Sequence, residues 1–210
     1  MATKKMLLVE GKDDEYVLKC LSGNRRGPRF DEVVHHGGDT KLLDAVPVWL
    51  KAEMDETIVG IVMDADTDID ARWQSLRDRL VKLGYTAVPK APAADGTVID
   101  APAGALLPRV GIWIMPDNQT NGILEDFLRF LVPTNSMLYN HVVNSVEAIP
   151  PGEQKFGPLR KPKALIHTWL AWQKEPGKPM GQAITARYLD PTVPQVDVLI
   201  SWLNKLFNDA

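Results

Sequence analysis

The run Ile58-Val59-Gly60-Ile61-Val62-Met63 ends abruptly in three alternating carboxylates, Asp64, Asp66 and Asp68. Short, β-branched and almost uninterrupted, it reads as a strand of a parallel sheet covered on both faces. Carboxylates repel one another and resist desolvation, so placing several at a strand terminus makes most sense beside a positive charge. A divalent cation is the usual one. The feature therefore points to an α/β fold and to metal-dependent chemistry on phosphates.

The rest of the chain fits an alternating pattern. Met6 to Val9 reads as a first strand, ending at Glu10-Gly11. Asp13 to Leu21 reads as a helix with acids in its first turn. Phe30 to Val34 is a short second strand, and Thr40 is a plausible cap for a helix running to about Met54. The strand Thr57 to Met63 is followed by a helix over Asp70 to Leu83, closed by Gly84. Tyr85 to Val88 reads as a further strand. The stretch 89–108, rich in Ala, Pro, Gly and Asp, is expected to be a loop-rich excursion with a hairpin around Asp95-Gly96. Arg109 to Met115 is the next strand, and Gly122 to Leu131 the next helix. Such alternation predicts an α/β, Rossmann-like core over 1–133, with a mostly parallel sheet, right-handed crossovers and flanking helices. After Pro133, helical patterns over Ser136 to Ala148, Ala164 to Gln173 and Gln195 to Asn208 predict a helical extension, 134–210, packed on that core.

Composition narrows the function. The formal net charge of the 210 residues is −3, so nucleic acid must be held by local patches or a metal rather than by a global field. Cys20, the only cysteine, cannot form an internal disulfide, which fits a reducing cytoplasm; its ordinary reading is a small core residue. No apolar stretch approaches the length of a membrane span, and Met6 to Val9 is too short for a signal-peptide core.

Ligands of open parallel sheets bind beyond the carboxyl ends of the strands. Three strand ends here carry acids: Glu10 after Val9, Asp64 and Asp66 after Met63, and Asp117 after Pro116. Residues two apart in an extended chain share a face about 6.6 Å apart, so Asp64 and Asp66 could share one cation or bracket a pair. Each acid also has a plain reading. Asp13 and Asp14 could start a helix, Asp68 fits a helix cap better than a ligand, and Glu125 and Asp126 could be first-turn acids. Caps alone do not explain acids at three strand ends. An EF-hand is excluded, because its sixth and twelfth positions are Ile69 and Ser75. Gly11-Lys12 lacks the partners of a P-loop. A dehalogenase-type phosphatase also carries Asp-x-Asp after a strand, usually the first, followed by Thr or Val where this chain has Asp68; that alternative stays open.

Val9-Glu10-Gly11-Lys12-Asp13-Asp14, followed by Val62-Met63-Asp64-Ala65-Asp66, resembles the Toprim domain of primases, topoisomerases, recombination mediators, ribosomal-RNA-maturation proteins and overcoming-lysogenisation-defect (OLD) nucleases. The stretch Val110 to Asn118, then Gly122 to Asp126, resembles a bacterial family allied to the OLD-type members. The resemblance covers roughly residues 5 to 132. It implies a four-stranded parallel sheet that binds one or two Mg²⁺ or Mn²⁺ ions, about 4 Å apart when paired, and acts on phosphodiesters as a nuclease. By the same resemblance Glu10 is a metal ligand or general acid/base, Asp64 and Asp66 hold metal, and Asp14 supports them. Glu125 is the candidate for a further ligand, and Lys163 for a lysine that offsets transition-state charge. The chain carries no OLD ATPase, so a separate ATPase is a conceivable partner. A non-catalytic Toprim module, binding nucleic acid or protein, is the competing reading.

Lys12, Arg25, Arg26 and Lys161 are candidate nucleic-acid contacts, although charge runs more often mark solvated loops. His35-His36-Gly37-Gly38 follows the second strand and reads mainly as a turn. His167 sits in a segment whose Trp169, Leu170 and Trp172 describe a packed helix.

Overall fold

A computed structural model describes residues 3–52 and 57–208. Among these residues five strands form one sheet: β1 (Lys4–Val9), β2 (Glu32–His35), β3 (Thr57–Asp64), β4 (Thr97–Ile99) and β5 (Arg109–Met115), in the order β2-β1-β3-β5-β4. The first four in that order run parallel, and β4 joins β5 antiparallel as an edge. Among the described residues eight α-helices surround the sheet: α1 (Lys12–Asn24), α2 (Asp39–Ala52), α3 (Ile69–Leu83), α4 (Leu124–Phe130), α5 (Met137–Glu147), α6 (Lys161–Ala171), α7 (Met180–Thr185) and α8 (Pro194–Phe207). The fold is α/β with a mostly parallel, Rossmann-like sheet, as the alternating pattern predicts.

The period of two along the strands sorts the core into two layers. Met6 and Leu8 of β1 face α2 and α3, where they meet Leu42, Val46, Trp73 and Leu76. Leu7 and Val9 face the opposite layer, which holds Val17 and Leu21 of α1, Trp169 of α6 and Leu203 and Leu206 of α8. The helices beyond residue 133 therefore bury their apolar faces in the same layer as α1 and the sheet. Each fully buried Leu or Ile contributes roughly 1.5–3 kcal/mol. Gly60 and Gly111 are register partners on neighbouring strands. A Cβ at Gly111 would lie 2.4 Å from Leu206 Cδ2, so these two glycines leave the flat patch on which α8 sits.

The strand order decides where a ligand can go. From β1 the chain passes through α1 to β2 on one side, and β3 then pairs with β1 on the other. The helices after β1 and after β3 lie on opposite faces, since α1 packs with one layer and α3 with the other. The crevice between the carboxyl ends of β1 and β3 is thus the topological switch point, where open α/β sheets bind ligands.

Several expectations are corrected. Tyr85 to Val88 is not a strand. Tyr85 is instead buried, with its hydroxyl donating to the Pro108 carbonyl at 2.6 Å. A turn does occur at Asp95-Gly96, where Gly96 has φ +87°, but it precedes β4 rather than joining two strands, and β4 pairs with the later β5. Thr40 lies inside α2, whose first turn is closed by Leu42 N donating to Gly38 O; Met54 lies outside the described residues. Helix α7 was hidden from periodicity in a Pro-rich connector, and Trp172 is 41% exposed rather than packed. No helix among the described residues is long and apolar enough to cross a membrane.

Candidate functional site at the ends of β1 and β3

A pocket of about 410 Å³ opens at this switch point. Glu10, Asp14, Asp64, Asp66 and Glu125 all line it, so the structure brings together the five acids that the sequence reading singles out. Lys12 and Lys163 line it as well.

Two strands and two helix starts hold the acids. Glu10 leaves β1 with its carbonyl accepting from Gly37 N at 2.7 Å and Gly38 N at 3.1 Å, which ties the turn after β2 to the pocket rim. Its Oε1 accepts from Asp64 N at 2.8 Å, linking the β1 and β3 ends directly. Asp14, in the first turn of α1, accepts from Gly11 N at 2.9 Å through Oδ2, while its buried Oδ1 has no hydrogen-bond partner. Asp64 closes β3, and its Oδ1 accepts from Leu124 N at the start of α4, at 2.9 Å. Glu125, the next residue, is only 2% exposed. Lys163 Nζ lies 2.9 Å from Glu125 Oε1, an ion pair on the pocket wall.

Crowding of acids in a desolvated crevice raises their proton affinity. Burial, with Asp14 adding repulsion, lifts Glu10 to about 7 against the lowering effect of the Asp64 amide. Burial lifts Asp14 to about 6, with Glu125 contributing repulsion. Asp64 is pushed well above the carboxylate range by burial first, then by Glu10, Asp14, Asp66 and Glu125.

Asp66 departs from expectation. Its φ is +54°, and its amide donates to Gly122 O at 2.9 Å. The chain has left the extended conformation, so Asp64 and Asp66 do not share one strand face. The Asp66 carboxylate meets Arg72 Nη2 at 2.5 Å, and the other Arg72 nitrogen, Nη1, holds Asp39 at 2.8 Å. That guanidinium keeps the Asp39 carboxyl below its usual range.

Other candidates fall elsewhere. Asp117 folds back on its own turn, accepting from the amides of Gln119 and Thr120, and does not line the pocket. Asp68 caps α3, accepting from Ala71 N at 2.9 Å. Arg25 and Arg26 lie past the far end of α1, about 20 Å of helix from the pocket; Arg25 pairs with Asp197. Lys161 pairs with Glu147 at 3.0 Å and lines a neighbouring cavity instead. His36 accepts from Trp49 Nε1 at 3.1 Å and its Nδ1 lies 3.3 Å from Val9 O, an ordinary structural role. His167 is exposed.

Three residues of the site escaped sequence reading: Asp39, which lines the pocket, Arg72, which governs Asp66, and Asn121. Asn121 staples the two acidic loops, accepting from Ile69 N at 2.9 Å and donating to Thr67 O at 2.6 Å. An Arg one turn into the helix after Asp-x-Asp was the available signal for Arg72; pairing across the two loops left none for Asn121.

Among the described residues no three His, Cys, Asp or Glu side chains form a ready-made cation cage. The hydrogen bonds explain this, since Glu10 and Asp64 turn oxygens to backbone amides and Asp66 turns to Arg72. The donor set nevertheless suits a hard divalent cation. It is all oxygen, it includes one buried carboxylate oxygen without a partner, Asp14 Oδ1, and its repulsion is of the kind such a cation relieves.

An acid-lined crevice at the switch point of a parallel α/β sheet defines the class of protein this is. The chain belongs to the family described as a protein of unknown function, DUF3226, whose profile matches residues 4–208. No curated protein and no solved structure matches it.

Proposed function

We propose that this protein is a Toprim-type enzyme that uses Mg²⁺ or Mn²⁺ to hydrolyse phosphodiester bonds of nucleic acid, acting as a nuclease in the cytoplasm. The observation that carries this reading is the convergence of Glu10, Asp14, Asp64, Asp66 and Glu125 on one pocket flanked by Lys163 and Arg160. The four parallel strands agree with the sheet that the Toprim resemblance implies.

In this reading Asp14, Asp64 and Glu125 hold the cation, with Asp66 joining once released from Arg72. A bound divalent ion supplies charge neutralisation at phosphate oxygens and acidifies a coordinated water. Glu10, lifted to about 7, is placed to accept and return a proton near neutral pH. Lys163, 40% exposed in its side chain, and Arg160 meet the phosphate charge. Lys12 at the α1 start adds a further cation on the pocket wall.

The test is cleavage of single- and double-stranded DNA and RNA with Mg²⁺ or Mn²⁺. Cleavage that vanishes in Glu10→Gln and Asp64→Asn supports the reading; no cleavage of any substrate, or cleavage unchanged in both variants, defeats it. A second reading, a non-catalytic Toprim module, is favoured by one contact: Arg72 already satisfies Asp66. It predicts no calorimetric binding of Mg²⁺ or Mn²⁺ at millimolar levels. The dehalogenase-type alternative needs an accessible Asp64 nucleophile. Asp64, with Oδ1 bonded to Leu124 N and Glu10 beside it, counts against that.

A further inference from the structure

A second cavity of about 370 Å³ lies between α4, α5 and α6, within the size range of small-ligand sites. Tyr139 and Val143 of α5 and Pro162 and Leu165 of α6 give it an aromatic and aliphatic wall, with Arg129 and Lys161 beside them. Glu125 lines both this cavity and the acidic pocket, and its side chain is 3% exposed, with Oε1 paired to Lys163. The two spaces are therefore separated by about one side chain. The segment entering α6 serves both: Arg160 and Lys163 line the acidic pocket, while Lys161 and Pro162 line the second cavity.

We propose that the second cavity receives one nucleobase of a single-stranded nucleic acid whose neighbouring phosphate lies in the acidic pocket. The inference rests on the phosphodiester reading above and names where its substrate is gripped. The flat tyrosine ring and the aliphatic wall suit the face of a base. Arg129, exposed and without an ion pair or hydrogen bond to its guanidinium among the described residues, offers donors to a base edge or a phosphate. Glu147 offers an acceptor for exocyclic amines; its pair with Lys161 joins two half-exposed side chains, so it costs little to rearrange. A base in a duplex is stacked and paired and cannot enter, so the cavity selects unpaired strands.

The experiment measures binding of labelled DNA and RNA pentanucleotides by fluorescence anisotropy in Ca²⁺, using the full chain carrying Glu10→Gln to prevent cleavage. Adding Tyr139→Leu is expected to weaken binding roughly tenfold, the size of one lost stacking contact. Tyr139→Phe should keep it within about twofold, and Arg129→Ala should weaken it several-fold. Duplexes should bind less tightly than single strands and be indifferent to position 139. Should Tyr139→Leu fail to fold, as judged by its melting curve, a 5-bromouracil pentanucleotide should photocrosslink to the peptide carrying Tyr139 in the Glu10→Gln protein. Unchanged affinity in a folded Tyr139→Leu protein, or no such crosslink, overturns the inference. Binding through Tyr139 without cleavage by the unsubstituted protein keeps the base site and sinks the nuclease; cleavage indifferent to Tyr139→Leu does the reverse.

Discussion

The two acidic strand ends solve the same electrostatic problem in opposite ways. At the β1 end, half-buried Glu10 and buried Asp14 are bonded only to backbone amides, desolvation raises their proton affinity, and Asp14 retains an unbonded oxygen. At the β3 end the chain turns left-handed at Asp66, whose carboxylate swings to Arg72. Backbone amides orient a carboxylate without cancelling its charge, whereas a guanidinium cancels it. The β1 end is thus poised to take up a proton near neutral pH, whereas at the β3 end Arg72 offsets the charge of Asp66. Asp64 belongs with β1 in this sense, because it is bonded to Leu124 N and coupled to Glu10.

The largest effects should fall on the poised side. Glu10→Gln and Asp64→Asn are each expected to lower the cleavage rate by at least about 10²-fold. Asp68→Asn, which touches only the α3 cap, should leave the rate intact and cost at most about 1 kcal/mol in denaturant unfolding. Equal losses in all three variants would erase the distinction.

Metal affinity should come next. Arg72→Ala removes the cation that competes for Asp66, so calorimetry should show Mn²⁺ binding several-fold more tightly, while Asp66→Asn should bind more weakly. Identical affinities in both variants would mean that the latch on Asp66 does not matter to the metal. Arg72→Ala should also lower the melting temperature by a few degrees through the freed repulsion between Asp39 and Asp66.

The pH dependence of stability probes the same contrast. Glu10 and Asp14 bind protons more tightly folded than unfolded, at about 7 against 4.5 and about 6 against 3.8. Their contribution is complete below the unfolded values and is lost as pH rises through about 6 to 7. The metal-free protein should therefore melt higher at pH 5 than at pH 8, and Mn²⁺ should recover the loss at pH 8. In Asp14→Asn the gap between pH 5 and pH 8 should narrow. A melting temperature that rises from pH 5 to pH 8 without metal would break the poised side of the comparison.

The smallest expected effect on metal binding lies away from the acids. Gly111→Ala pushes a methyl against Leu206 and should cost roughly 1–3 kcal/mol by overpacking, with little change in metal affinity. A large loss of metal binding would mean that α8 supports the pocket more directly than its position suggests.

Much of this arrangement was legible in the chain. The apolar run before Asp64 announced a doubly covered parallel strand, and the acids after Val9 and Met63 announced the edge where a ligand binds. Glu125 and Lys163, drawn in by resemblance, line the same pocket as an ion pair. Less legible was everything that depends on a partner distant in sequence. Asp117 looked equivalent to Glu10 until its turn claimed it, and Tyr85 to Val88 looked like a strand although no neighbour pairs with it.

By itself the sequence determined the layering and the sign of the site, because strand and helix periods and the desolvation cost of carboxylates act over a few residues. Only the tertiary structure decided which acids meet a cation and which meet only backbone amides. That choice turns on Arg72 reaching Asp66 and Asp39, Leu124 N reaching Asp64, and Asn121 joining two loops, contacts set by where the folded backbone brings the elements. Local preference is written along the chain, whereas electrostatic pairing is written across it.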